Sequence, residues 1–180
     1  APSAARMEEQ REIDDLHKLL SGGNSNRRTP PSRAEIAAMP VHAAVRALEQ
    51  FGEIVRIVDA VCDRWRGLSY GPGRRQSAAD AGALPALVRV MKLHGDVADV
   101  QQWGCLSIGN IVAGMDEEGV ARKQLAAEAG ALEAVTNAVQ THVDEVPVVE
   151  YGCFALGNIC FAADAAGLGR KQRAADACAV

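Results

Sequence analysis

One stretch of this chain occurs twice. Val97 to Ala113 reads VADVQQWGCLSIGNIVA, and Glu145 to Ala162 reads EVPVVEYGCFALGNICFA. Between the copies Trp103 becomes Tyr151, Cys105 becomes Cys153 and Asn110 becomes Asn158, a constant step of 48 residues. The same step carries Arg74-Arg75-Gln76 to Arg122-Lys123-Gln124, and then to Arg170-Lys171-Gln172. Self-similarity at a period of this size is the sequence mark of stacked helical repeats. A single unit of that kind cannot bury its apolar side alone, so its neighbours must stack on it.

Composition agrees with such a stack. Hydrophobic residues make up 48% of the 180 and charged residues 23%, the balance of a globular chain. Aromatics are only 4%, and alanine, the strongest helix former, is abundant. The fold class read from this is all-α. A net charge of −4 lacks the basic excess that nucleic-acid binders carry, so no nucleic-acid partner is expected. No run approaches the ~18 apolar residues of a membrane span. The five cysteines, Cys62, Cys105, Cys153, Cys160 and Cys178, form no C-x-x-C pair. They read as reduced, buried thiols in an intracellular protein, cytoplasmic first, with nuclear and organellar settings left open.

Residues 1–33 read as an N-terminal arm. Met7 to Leu20 is a short helix whose apolar stripe includes Ile13, Leu16 and Leu20, a candidate docking edge for the domain or for a partner. Gly22-Gly23 ends it, and Ser21 to Arg33 is a linker by its Gly, Asn, Ser and Pro-Pro content. Residues 34–180 read as the repeat domain. Residues 34–68 are a degenerate capping repeat, in which Cys62 matches Cys105 and Gly67 takes the place of Asn110. Residues 74–120 and 122–167 are full repeats, and 170–180 opens a partial one. Each full repeat divides into three helices: Gln76 to Ala81, Leu84 to His94 and Val97 to Ala113, then Gln124 to Ala129, Leu132 to His142 and Val146 to Ala162. Gly82 and Gly130 separate the first helix from the second. The apolar terminus Ala177-Cys178-Ala179-Val180 reads as a bare stacking face, expected of a fragment of a longer repeat protein.

The run Ala79-Asp80-Ala81-Gly82-Ala83-Leu84-Pro85-Ala86-Leu87-Val88, followed by a helix ending Leu106-Ser107-Ile108-Gly109-Asn110-Ile111, resembles the armadillo repeat. So does Ala127-Glu128-Ala129-Gly130-Ala131-Leu132 with Phe154-Ala155-Leu156-Gly157-Asn158-Ile159. The likeness covers 74–180 well, 34–68 weakly and the first 33 residues not at all. It implies a right-handed α-α superhelix, an armadillo-like solenoid of about two and a half to three repeats. The period is longer than the family's usual repeat. The extra residues, Gly114 to Ala121 and Ala163 to Gly169, are expected as loops.

On a helical wheel Asn110 shares a side of its helix with Trp103, Leu106, Ser107 and Asp99. The next repeat places Asn158, Tyr151 and Phe154 there. The other side carries Cys105, Ile108, Ile111 and Val112, then Cys153, Leu156, Ile159 and Cys160, small and apolar as a core requires. The resemblance implies that third helices line a concave groove where asparagines hold the main chain of a bound peptide. An amide suits that task because it both donates and accepts. The family's tryptophan position is held here by Leu106 and Phe154, and the aromatics stand a turn earlier. Two roles remain open for each asparagine, peptide contact or a bridge between repeats. Asp96, Asp99 and Asp144 tilt the groove acidic, toward an extended or helical partner segment with some basic residues.

No catalytic constellation, metal cluster or phosphate loop is visible, so no enzyme and no cofactor are expected. His94 and His142 recur at the repeat step, each ending a second helix, where a cation is favoured. The basic triplets read as a solvated ladder along one edge. The function expected is a non-enzymatic protein-protein interaction scaffold or adaptor. The alternative is a structural subunit permanently embedded in a large multiprotein assembly, in an organelle or elsewhere.

Overall fold

The structure is a computed structural model that describes residues 29–66, 72–161 and 165–178. The chain divides into two units, Ala1–Pro30 and Pro31–Val180. The arm helix, with Ile13, Leu16 and Leu20, lies outside the described residues. Among the described residues every regular element is a helix. There are ten: α1 (Arg33–Ala38), α2 (Val41–Phe51), α3 (Val55–Arg66), α4 (Pro72–Asp80), α5 (Ala83–Leu93), α6 (Ala98–Val112), α7 (Glu117–Glu128), α8 (Ala131–Thr141), α9 (Val146–Cys160) and α10 (Ala165–Cys178).

Local chemistry sets the breaks. Ser32 and Glu35 form a reciprocal capping box at the start of α1. Met39, the residue before Pro40, is extended at ψ 143 and ends that helix. The passages from α4 to α5 and from α7 to α8 turn at Gly82 and Gly130, with φ of 81° and 83°. Only glycine adopts that left-handed backbone at little cost.

The first helices differ from the sequence expectation. The residues from Glu117 to Ala121 are not a loop but the opening turns of α7. Asp116 caps them, its Oδ1 accepting from the Gly119 N–H at 2.9 Å. Glu117 and Glu118 then occupy the first turn, where the macrodipole favours negative charge. Likewise α10 begins at Ala165, inside the second expected loop. Much of the added length of the period, from Glu117 and from Ala165 onward, is helix.

The helices pack in rows. The second helices α2, α5 and α8 are successive neighbours, and so are the third helices α3, α6 and α9. The core lies between these rows. Leu48, Ile57, Val61, Trp65, Leu84, Leu87, Met91, Ile108, Ile111, Leu132, Val135 and Ile159 are buried in it. Each such aliphatic side chain contributes roughly 1.5–3 kcal/mol on burial. Equivalent glycines let the rows approach. A Cβ on Gly104 would meet Met91 Cγ at 2.6 Å, and one on Gly152 would run into Val139.

Candidate partner-binding surface

The asparagine side of the third helices is not clear of the core, contrary to the wheel. Ser107 is 1% exposed and Asn110 8%. The reason is that each third helix turns this side toward the third helix before it. Ser107 faces the Cys62 thiol of α3, which burial pushes up to about 12 and the Ser107 hydroxyl draws down slightly. Asn158 is half-buried, and its Nδ2 donates to the Gly109 carbonyl of α6 at 3.2 Å, so it bridges neighbouring repeats. Phe154 lies against the same glycine: a Cβ there would meet its ring at 2.5 Å. Ala155 is fully buried in this joint.

Part of the predicted site remains at the surface. Trp103 and Tyr151 are half-buried and stacked, with ring centroids 6.2 Å apart at 27°. The Arg66 guanidinium of α3 stands over the Trp103 ring, 5.1 Å from its centroid. Arg66, Trp103 and Tyr151 therefore form one row across three consecutive third helices. Leu106 is half-buried, and Phe154 is 41% exposed. Asp99 is exposed and accepts from Gln102 Nε2 at 2.8 Å. Asp96, Asp144 and Glu150 are exposed too. Sequence reasoning found the aromatics but missed Arg66, which lies in the degenerate repeat and has no counterpart to reveal it.

The basic triplets correct a second expectation. They are a solvated ladder only in part: Arg74 and Lys171 are exposed, but Arg122 is 0% exposed and Arg170 2%, and Lys123 is buried as well. Arg122 Nε donates to Ile111 O at 2.8 Å, its Nη2 to Ala113 O at 3.0 Å and its Nη1 to Gln76 Oε1 at 2.9 Å. Arg170 repeats this, with Nε to Ile159 O at 2.8 Å and Nη1 to Gln124 Oε1 at 3.2 Å. The last carbonyls of a helix lack partners within it, and a cation is favoured there. Each arginine thus closes a third helix and ties it to the first helix of the preceding repeat. Lys123 Nζ donates to Gly114 O at 2.5 Å and lies 5.7 Å from the Phe161 ring centroid. Burial, with Arg170 and Arg122 close by, holds its ammonium below the ordinary lysine range.

The histidines form a parallel set. His94 Nε2 is 2.6 Å from Gly52 O, and His142 Nε2 is 2.8 Å from Gly95 O. A carbonyl only accepts, so each ring presents an N–H there and locks a second helix to the repeat before it.

The cysteines separate into two classes. Cys62 and Cys105 are buried, and burial pushes both thiols up to about 12. Cys153 is exposed and Cys160 half-buried, so the reading of uniformly buried thiols fails on α9. All four are free. An open cleft of about 920 Å³ lies between α7 and α10, with Val120, Ala121, Gln124, Ala127, Gly169 and Arg173 in its wall. Among the described residues no His, Cys, Asp and Glu group could hold a metal ion, and no helix is long and apolar enough to cross a membrane. Neither protein-family models nor curated proteins give a match to this sequence.

Proposed function

We propose that this chain is a non-enzymatic protein-protein interaction module of armadillo-like architecture. Its third helices grip a partner segment that carries basic residues. The observation behind the reading is the row Arg66–Trp103–Tyr151, three side chains from three successive helices, each against the next. Half-buried aromatics offer an apolar body with a polar tip, the chemistry enriched where proteins meet. The exposed Asp96, Asp99, Asp144 and Glu150 supply charge for a basic segment, and Arg66 already shows a cation resting on this row. The recurring arginine and histidine ties favour a stacked-repeat architecture, since each recurs in the next repeat. Free thiols fit an intracellular, cytoplasmic setting.

The test is partner recovery from native extract with Trp103→Ala plus Tyr151→Ala, beside Asn110→Ala plus Asn158→Ala. The aromatic pair removes surface contacts, so partners are lost while the fold persists. An unchanged partner set with both aromatics gone refutes the groove.

One observation favours a second reading, a structural subunit of a large assembly. Val146, Phe154 and Phe161 expose large apolar surface along α9 and just beyond it. Native mass analysis of extract separates the two readings: a fixed stoichiometric complex supports the subunit, and a free small species rejects it.

A further inference from the structure

The two buried arginines occupy equivalent places but are not equally satisfied. Each donates through Nε to a third-helix carbonyl and through Nη1 to a glutamine of the preceding first helix. The remaining nitrogen separates them. In Arg122, Nη2 donates to Ala113 O at 3.0 Å, and two carboxylates flank the guanidinium, Glu118 at 3.8 Å and Asp116 at 4.0 Å. In Arg170 the same nitrogen is buried and has no hydrogen-bond partner among the described residues. At the repeat step Ala113 becomes Phe161, whose backbone stands at ψ 97 rather than 142, and Glu118 becomes Ala166, which carries no acceptor. The counterpart of Asp116 is Asp164, outside the described residues.

This difference coincides with the cleft between α7 and α10. Arg170 and Ala166 both stand in its wall, so the guanidinium short of an acceptor and the position that has lost a carboxylate line one space. Its volume of about 920 Å³ is that of a small-molecule site. Val120, Ala121 and Ala127 give it an apolar side. Of the cations in the wall, Arg173 is already matched by Glu133 at 2.6 Å, which leaves Arg170. One unmatched guanidinium beside Glu117 suits a monoanion rather than a phosphate dianion. A buried charged donor without an acceptor is costly, and a carboxylate is the acceptor whose geometry a guanidinium fits.

We propose that this cleft binds an aliphatic carboxylate, its head paired with the Arg170 guanidinium and its alkyl chain along Val120, Ala121 and Ala127. The head takes the part that the Glu118 carboxylate plays at Arg122. The site is built on first helices, not on the third helices that carry the aromatic row, and does not depend on the groove reading.

The test is calorimetry on the full chain with octanoate and with its neutral isostere octanamide. Octanoate binds saturably, and octanamide about ten-fold or more weakly, because only the carboxylate makes the charge-assisted pair. Ala166 is exposed, so Ala166→Glu still folds. It restores the missing carboxylate within the chain and lowers octanoate affinity about ten-fold or more, whereas Ala166→Ser leaves it unchanged. No saturable octanoate binding, equal affinity for octanamide, or indifference to Ala166→Glu overturns the proposal. Two further full-chain variants ask whether the chain fills the site itself. One is Asp164→Asn; the other changes Glu8, Glu9 and Glu12 to Gln and Asp14 and Asp15 to Asn. Octanoate affinity unchanged in both supports an external ligand. Tighter binding in either overturns it, since a carboxylate of the chain would then already hold Arg170.

Discussion

A single guanidinium shows how residue chemistry sets this structure. Arg122 is buried, but its donors meet the carbonyls that α6 cannot satisfy internally. Arg122→Met leaves the buried Ile111 carbonyl without its partner, while Arg75 Nη1 still donates to Ala113 O, and should cost about 1–3 kcal/mol in urea unfolding. Glu133→Gln, at the exposed pair with Arg173, should cost under about 1 kcal/mol, because solvent screens that pair. Glycine offers a sharper contrast. Gly109→Ala drives a methyl into Phe154 and the Ala155 backbone and should destabilise by about 1–3 kcal/mol. Gly157→Ala meets nothing among the described residues and removes a glycine from a helix interior, so it should stabilise by about 0.5–1 kcal/mol. Only the structure separates these two positions, since both sit in the same Leu/Ile-Gly-Asn-Ile setting. The burial of Arg122 was equally hidden: an Arg-Lys-Gln triplet looks the same in sequence whether it faces water or a helix end.

The second and third helices were legible because glycine turns and apolar spacing bound them on both sides. The first helices were legible only in their C-terminal halves, because Gly114, Gly119 and Gly169 look like loop. The signal available was Asp116 three residues before Gly119, followed by two glutamates, a capping arrangement ahead of a helix. Asp116→Ala should therefore cost about 1 kcal/mol and loosen the α6–α7 joint, seen as faster amide exchange in α7. The third helices make a separate prediction about pH. Cys62 and Cys105 hold their protons up to about 12 in the fold, against an ordinary 9.0. Above 9.0 the unfolded chain ionises these thiols and the folded one does not. Stability is thus full below that value and falls as pH rises toward 12. Urea midpoints across this window, with Cys62→Ala plus Cys105→Ala flattening the decline, check it.

At the scale of the whole chain, the period of 48 residues gave helical stacking, and the rows α2–α5–α8 and α3–α6–α9 agree with it. The candidate site was half legible. Trp103, Tyr151 and Phe154 remain partly at the surface, whereas Ser107, Asn110 and Asn158 are drawn into the joints between third helices. A wheel drawn on one helix places residues on its sides but cannot say which side meets the next helix. The interaction-module reading now rests on the aromatic row rather than on the asparagines. Its most direct test is site-resolved photo-crosslinking in native extract. A benzoylphenylalanine replaces Tyr151 or Leu106 on the row, and Arg46 or Gln140, on the second helices, as controls. The reading predicts discrete adducts with the same partner from the row positions alone. Adducts from the controls and none from Tyr151 or Leu106 would contradict it.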